Sequence, residues 1–304
     1  MSYFNKLFGI YRDSTDEFCY FLGLKLRFLF ENERRKKERS LIRAELANFK
    51  GEILEGVQKS IATALLHQKT FSEFKNKYVG KTIVIVGAGP TLNYFEKIDN
   101  ATYVGVNRTF LYEKIKFDYL FAIDKVGLET GTNNYTDSFL DYKGNNCIKF
   151  IGDCTLGKDF QIPESRLYRS NIRRYKQNIA NGVPSNFTLD IDSEPLGSFH
   201  SVVFQAMQFI LYTNPAKVYL VGMDCNINTA GHFVGNVAKV HLRGTSVEAS
   251  DQENLAAWQK LKIFANTYYP DTEIVSINPV GLKGLFADIY TDSYLKYLDN
   301  KEKV

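Results

Sequence analysis

Four cysteines occur in 304 residues, Cys19, Cys147, Cys154 and Cys225, and their scatter holds no Cys-x-x-Cys pair and no His/Cys spacing suited to zinc. A disulfide scaffold and a zinc module are excluded, and free thiols in a reducing cytosol are expected. The chain also lacks a run of the ~20 apolar residues that a bilayer-crossing helix needs. Its first sixteen residues mix polar and aromatic types with no small-residue cleavage site after them, so no cleavable signal is expected and the protein reads as cytoplasmic. In that compartment the sequons at Asn107 and Asn186 carry no information. No internal repeat or low-complexity tract is visible. The formal charge is only +4, which asks for no nucleic acid as partner. What remains is a chain that is 44% hydrophobic and 14% aromatic, mostly Tyr and Phe. Such a composition is that of an ordered globular protein with one large or two modest domains.

The first 79 residues differ from the rest. Residues 18–30 are apolar and aromatic, too short to span a membrane, and a charged run through Arg34, Arg35, Lys36 and Lys37 follows directly. Helix-prone sequence then continues to about Lys77. An apolar aromatic segment beside basic residues suits an interfacial helix on an anionic membrane surface, so peripheral contact through residues 18–40 is one expectation. Packing on the protein itself or on a partner subunit, with homo-oligomerisation, is the other.

From residue 80 to 304 strand-like and helix-like segments alternate, the pattern of an α/β domain with a mostly parallel sheet. Strands are expected at Thr82 to Val86, Ala101 to Val106, Tyr119 to Ile123, Cys147 to Ile151, Lys217 to Val221 and Glu273 to Ile277. Helices are expected at Thr91 to Lys97, Ser198 to Tyr212 and Ser250 to Thr267. The last has a capping-box start, Ser250 with Glu253, and an apolar face at Leu255, Trp258, Leu261 and Phe264. The polar stretch from Tyr168 to Pro195 has no clear period and reads as a loop or lid, placed around 165–196.

The most informative segment is Thr82 to Asn93, where the β-branched run Ile83 to Val86 enters Gly87-Ala88-Gly89-Pro90. A buried-type strand running into a glycine turn can bring backbone N–H groups to a phosphate, and Thr91 or Asn93 can cap a following helix that points its N-terminus at the anion. The turn lacks the third glycine of the dinucleotide fingerprint and the Lys-Ser/Thr of a P-loop, which argues against NAD and against ATP hydrolysis. A tight βα turn with no ligand is the plain alternative.

Other candidates sit where strands of such a sheet end, the edge at which open α/β folds bind ligands. Asn107 follows the second strand and offers an amide to a pyrimidine edge or a ribose, or else only forms a turn. Asp124 ends the third strand and suits ribose hydroxyls, a metal or an acceptor, or a helix cap. Asp224 lies just past Val218-Tyr-Leu-Val-Gly-Met, with His232 eight residues on and His241 nine after that. Either histidine titrates near working pH and can take a proton from an attacking hydroxyl. Arg166, Arg169, Arg173, Arg174 and Lys176 form a basic set in the presumed lid, suited to an anionic donor or acceptor or simply solvated.

The order Val84-Ile-Val-Gly-Ala-Gly-Pro-Thr-Leu, Val106-Asn-Arg, Gly197-Ser, Val218-Tyr-Leu-Val-Gly-Met-Asp and Asn278-Pro-Val-Gly-Leu-Lys-Gly-Leu-Phe resembles bacterial family 42 sialyltransferases and the related motility-accessory-factor proteins of flagellar glycosylation. The likeness spans roughly residues 80 to 290. It implies metal-independent, inverting transfer of sialic acid, or a related nonulosonate, from a CMP-sugar donor to the hydroxyl of a glycan acceptor, with no further cofactor. By motif match, Gly87, Ala88, Gly89 and Pro90 would approach the CMP phosphate, Asn107 the nucleotide, and Gly197 with Ser198 the cytidine or phosphate. A tyrosine pair that helps the phosphate leave in the family corresponds here to Asn226 and His232, with a later His as base. The chain departs from family 42 at Ala88 and Asp124, both usually Asn, and its Gly-x-Asp followed by His is closer to the motility-accessory-factor pattern. A pyrophosphokinase-like enzyme on the same scaffold and a non-catalytic accessory of glycan assembly are the alternatives.

Overall fold

The computed structural model describes residues 8–12, 17–21, 24–25, 27–123, 128–130, 133–153, 171–178, 186–199, 201–225 and 247–301. It divides into two compact units, Met1–Ile61 and Ala62–Val304. Among the described residues no helix is long and apolar enough to cross a membrane.

In the first unit β1 (Phe8–Arg12), β2 (Glu17–Phe21) and β3 (Leu24–Lys25) form an antiparallel three-stranded sheet. The helix α1 (Arg27–Phe71) follows, 45 residues long. Of the apolar stretch 18–30, expected as an interfacial helix, residues 18–21 and 24–25 are therefore strand, and only 27–30 are helix. Its Phe-Cys-Tyr-Phe core is aromatic and suits a pleated surface better than a helical one.

The second unit is built on a nine-stranded sheet in which every neighbouring pair is parallel. Its strands are β4 (Thr82–Val86), β5 (Thr102–Val106), β6 (Tyr119–Ala122), β9 (Ile148–Asp153), β10 (Ile172–Asn178), β11 (Leu196–Gly197), β12 (Lys217–Val221), β13 (Glu273–Ile277) and β14 (Ala287–Ile289). A two-stranded ribbon, β7 (Glu129–Thr130) and β8 (Asn133–Asn134), lies outside it. The helices are α2 (Thr136–Asp141), α3 (Val203–Tyr212), α4 (Val247–Tyr268) and α5 (Asp292–Lys301).

Strand order decides where a ligand can bind. From β4 the chain steps outward through β5, β6, β9, β10 and β11, then returns to lay β12, β13 and β14 on the other side of β4. The reversal between β4 and β12 is the switch point of a doubly wound, Rossmann-like α/β fold. Both faces of the sheet are covered, as its apolar strands require. Ile83 and Ile85 of β4 enter one core cluster with α3, Trp258 and Leu261, while Val84 and Val86 enter the other with Leu92, Phe117 and Phe139. All ten residues of α3 are buried, so it is a central helix rather than an amphipathic surface one. Phe150 lies at the centre of the first cluster, with ring centroids 4.6 Å from Phe121, 4.9 Å from Phe209 and 5.4 Å from Phe71.

Four expectations are corrected. The helix expected at Thr91 to Lys97 is a five-residue 3-10 turn, Pro90–Tyr94, so no helix N-terminus points from the glycine turn. The helix expected from Ser198 begins at Val203. The α4 helix begins at Val247, three residues before Ser250, which therefore lies within it. The stretch read as a lid contains β10, a full member of the sheet.

Strand β10 has few apolar residues because much of its exposed edge is satisfied by side chains of α1. Thr70 donates to the Arg174 carbonyl at 2.9 Å, and the Lys176 N–H donates to His67 Nε2 at 2.7 Å. His67 then carries its proton on Nδ1 and donates to the Ile191 carbonyl at 2.8 Å. Two side chains thus stand in for a neighbouring strand and cover the edge. Burial is the main cause that lowers the His67 pKa. A group with a depressed folded pKa contributes stability above its unfolded value, near 6.5 for histidine, and loses it as pH falls toward the folded value. Replacing His67 by Phe leaves the Lys176 N–H and the Ile191 carbonyl unpaired, and should cost about 2 kcal/mol at pH 8. In urea titrations between pH 5 and 8 the variant should also lose part of the wild-type decline toward acid.

Candidate functional site

Because all strands of the sheet run the same way, their carboxyl ends share one edge. Gly87 to Thr91 follow β4, Asn107 follows β5, Ser198 follows β11, Gly222 to Cys225 follow β12 and Asn278 follows β13. Asp124, at the end of β6, lies outside the described residues, as do Asn226, His232 and His241.

Three loops meet at Asp224, which is 5% exposed. Its carboxylate accepts the Thr91 N–H at 3.1 Å and the Thr91 hydroxyl, and its carbonyl accepts the Gly281 N–H at 2.8 Å. The glycines around it are needed for close approach. A Cβ on Gly87 would lie 2.5 Å from the Gly222 carbonyl oxygen, one on Gly89 would lie 2.5 Å from the Asp224 Cγ, and one on Gly281 would collide with the Cys225 carbonyl. Gly222 sits at φ +64°, where glycine is free and an L side chain is strained.

This packing changes the reading of the turn. The Gly87 N–H donates to the Val221 carbonyl at 2.7 Å and the Gly89 N–H to the Gly222 carbonyl at 2.8 Å. Both amides are spent on the end of β12, Val221, and on Gly222 just after it, so neither is free to donate to a phosphate. Pro90 has no N–H, and the Thr91 amide is held by Asp224.

Asp224 accordingly holds Thr91 through both its main chain and its side chain. Burial pushes its carboxyl above the usual carboxylate range, against the opposing pull of the Thr91 hydroxyl and amide. A carboxyl with a raised folded pKa contributes most below its unfolded value, and that contribution fades as pH rises through the folded value. Asparagine can keep both contacts, its Oδ1 accepting the Thr91 N–H and its Nδ2 donating to the Thr91 hydroxyl. Asp224→Asn should therefore match or exceed the wild-type melting temperature at pH 7.5, with the gap closing toward pH 5. Asp224→Ala, which strands the Thr91 amide, should cost about 2 kcal/mol.

Asn107 is half-buried with φ +50° and opens a short 3-10 turn, so it does form the turn that Asn favours. Its amide side chain makes no hydrogen bond among the described residues and is available to a ligand. Gly197 is clamped by two buried glutamines of α3. Its N–H donates to Gln208 Oε1 at 2.8 Å, and its carbonyl accepts from Gln208 Nε2 at 3.0 Å and Gln205 Nε2 at 3.2 Å. Gln208 Oε1 also takes the Thr188 N–H at 2.9 Å. Ser198 is thus presented from a fixed main chain. The two glutamines were not singled out from sequence, although two amides three residues apart in the otherwise apolar Val203–Tyr212 are the signal that could have found them.

Asn278 is also missed as an individual residue. It is 1% exposed, with φ +53°, and its side chain pairs with the backbone N–H and hydroxyl of Thr291 at 2.8 and 3.0 Å. Thr291 in turn donates to the Tyr94 carbonyl at 2.9 Å, which ties α5 to the turn after the glycines.

Two charged sets are structural. Arg173 pairs with Glu73 and donates to the Thr70 carbonyl at 2.9 Å, and Lys176 pairs with Asp153 across β9 and β10. Arg166 and Arg169 lie outside the described residues. The sequence contains one Asp-x-Asp, Asp190-Ile191-Asp192, the spacing used for metal-held nucleotides. Lys75 lies 3.6 Å from one of these carboxylates and 4.0 Å from the other.

No family model matches the chain, and no curated protein matches it. Among solved structures it is similar in part to the MAf glycosyltransferase from Magnetospirillum magneticum AMB-1, at 15% sequence identity and a TM-score of 0.41, over 77% of this chain and 40% of that one.

Proposed function

We propose that this protein transfers a sugar from a CMP-linked donor, sialic acid or a related nonulosonate, to a glycan hydroxyl with inversion. The observation that carries the reading is the strand-order reversal between β4 and β12, with Asn107 and the Asp224 junction at its carboxyl end and Ser198 further along the same edge of the sheet, after β11. That edge is where doubly wound sheets take nucleotides. The five sequence motifs shared with the sialyltransferase and motility-accessory-factor group support the donor class.

In this reading Asn107 pairs with the base or ribose, and Ser198, held through Gly197 by Gln205 and Gln208, donates to the departing phosphate. Asp224 fixes Thr91 and the glycine turn, which form the floor of the crevice. Transfer passes through an oxocarbenium-like state, so the leaving phosphate must gain stabilisation as charge develops. One preorganised donor is worth roughly 3 kcal/mol. Lys239 or Arg243, both outside the described residues, would supply the cation, and Asn226 stands where the family has a phosphate-assisting tyrosine. Deprotonation of the acceptor hydroxyl falls to His232 or His241.

The test is nucleotide protection against heat. CMP and CTP should raise the melting temperature, while ATP and NAD should not. Stabilisation by ATP that requires Mg²⁺ would instead favour the pyrophosphokinase-like enzyme. The committed amides of Gly87 and Gly89 favour one second reading, an accessory protein of glycan assembly that holds no nucleotide at this turn; indifference to every nucleotide, with oligomerisation through residues 1–78, would favour it. For the base, His232→Ala should lower transfer by ~10² to 10⁴-fold and leave CMP binding intact, as loss of a general base does. Retained turnover in that variant with loss in His241→Ala would move the role to His241.

A further inference from the structure

The helix α1 carries an apolar seam that nothing among the described residues of its unit covers. Ile42, Leu46, Phe49 and Ile53 recur at steps of four, three and four residues and are 50–60% exposed; Val57 and Ile61 continue the row at 49% and 55%. Helices in proteins draw most of their stability from packing of such a face, and a helix standing alone in water is marginal. The spacing of the first four is the alternation of d and a positions in a two-stranded coiled coil, with Ile42 and Phe49 at d and Leu46 and Ile53 at a. After Ile53 the row advances by four twice, which loosens a strict seven-residue repeat without ending the apolar face.

The charges beside the seam identify what covers it. In this register Glu38, Glu45 and Glu52 fall at the g positions along one border, and Lys36, Arg43 and Lys50 at the e positions along the other. In a parallel pair of helices each g position meets the e position five residues on in the other chain. Glu38 of one copy then faces Arg43 of the second, and Glu45 faces Lys50. In an antiparallel pair g meets g and e meets e, so acid would face acid and base would face base. Glu45 and Lys50 have no ion-pair partner among the described residues, whereas Glu38 already pairs within the helix with Arg34 at 3.5 Å. An anionic bilayer suits the border of bases but not the parallel border of glutamates. Covering the six apolar side chains on two copies removes on the order of 1,000 Å² from water, the lower bound for a specific interface.

We propose that α1 pairs in parallel and in register with α1 of a second copy of this chain, over residues 38–61. The pairing does not rest on the glycosyltransferase reading and survives its failure. Sedimentation velocity and light scattering on the full chain should show a concentration-dependent dimer. Leu46→Asp with Ile53→Asp should give a monomer whose near-ultraviolet dichroism and melting of the sheet-bearing unit match wild type. Glu45→Lys keeps the apolar seam and should weaken the dimer by about tenfold in Kd, since attraction becomes repulsion at two symmetry-related places. Adding Lys50→Glu to it should restore the wild-type Kd. A monomer at every concentration, a higher oligomer, or a dimer untouched by Leu46→Asp with Ile53→Asp overturns the proposal. Tighter association in Glu45→Lys would mean antiparallel helices and overturn it too. So would a wild-type monomer that sediments with phosphatidylserine-containing vesicles and ceases to do so when the seam is made acidic.

Discussion

Gly281→Ala is expected to destabilise the sheet-bearing unit by about 3 kcal/mol, a large cost for one methyl group and near the upper end for overpacking. The new Cβ would collide with the Cys225 carbonyl and lie 2.9 Å from the Asp224 carbonyl oxygen. Backbone cannot rotate away as a long side chain can, so the loop after β12 must move. That shift breaks the Gly281 to Asp224 hydrogen bond and withdraws the carboxylate from Thr91, which in turn loosens the glycine turn. In calorimetry the melting temperature should fall by about 8 °C for a domain of this size. If the crevice takes a CMP-sugar, CMP should protect the variant far less than wild type. Gly284→Ala provides the comparison. A Cβ there meets nothing within 4 Å, and only its φ of +77° is unfavourable, so about 1 kcal/mol is expected with CMP protection unchanged. Equal effects of the two substitutions would mean that the Asp224 junction does not couple the three loops.

Phe150→Ala should cost more, about 4 kcal/mol. The ring is fully buried at the centre of the first cluster, where it stacks on Phe71 and Phe121 and lies edge-on to Phe74. Removing it leaves a cavity walled by other rigid rings, which cannot collapse as flexible aliphatic chains do, so most of the void should persist. The expected shift in melting temperature is about 12 °C. The urea midpoint should fall with little change in the denaturant slope, because the surface exposed on unfolding is nearly the same. Because Phe150 lies in the middle of the sheet and not at its carboxyl edge, nucleotide protection measured well below the transition should remain. A loss under 1 kcal/mol would mean that the cluster repacks around the gap.

What the sequence makes legible follows from periodicity and local chemistry. The central strands β4, β5, β6, β9, β12 and β13 are short apolar runs bounded by polar residues, and each lies within a residue or two of its expected span. The strand β10 is hidden because Ile-Arg-Arg-Tyr-Lys-Gln-Asn has no apolar alternation. Its partners on one side are Thr70 and His67, about a hundred residues earlier, and no local window contains that information. The same limit explains the glycine turn. Gly87 and Gly89 announce that something approaches the main chain closely, but a phosphate and a neighbouring loop impose the same demand, and only the fold brings Gly222 and Asp224 there. Asp224 is legible as a residue at the site, while its service to Thr91 is not, since the two are 133 positions apart. The roles of Gln205 and Gln208 could be foreseen only in part, because polar residues in a buried helix announce a partner without naming it.

The side-chain edging of β10 carries a consequence for motion along α1. Amide protons in its last ten residues, Ala62–Phe71, should exchange with deuterium only when the sheet itself opens, because His67 and Thr70 are pinned to β10. Amides before Ile61 have no such anchor among the described residues of their own unit and should exchange by fraying in a lone chain. The helix is thus a rod with one slow end and one fast end, and slowing of the fast end as protein concentration rises would report the arrival of a second rod.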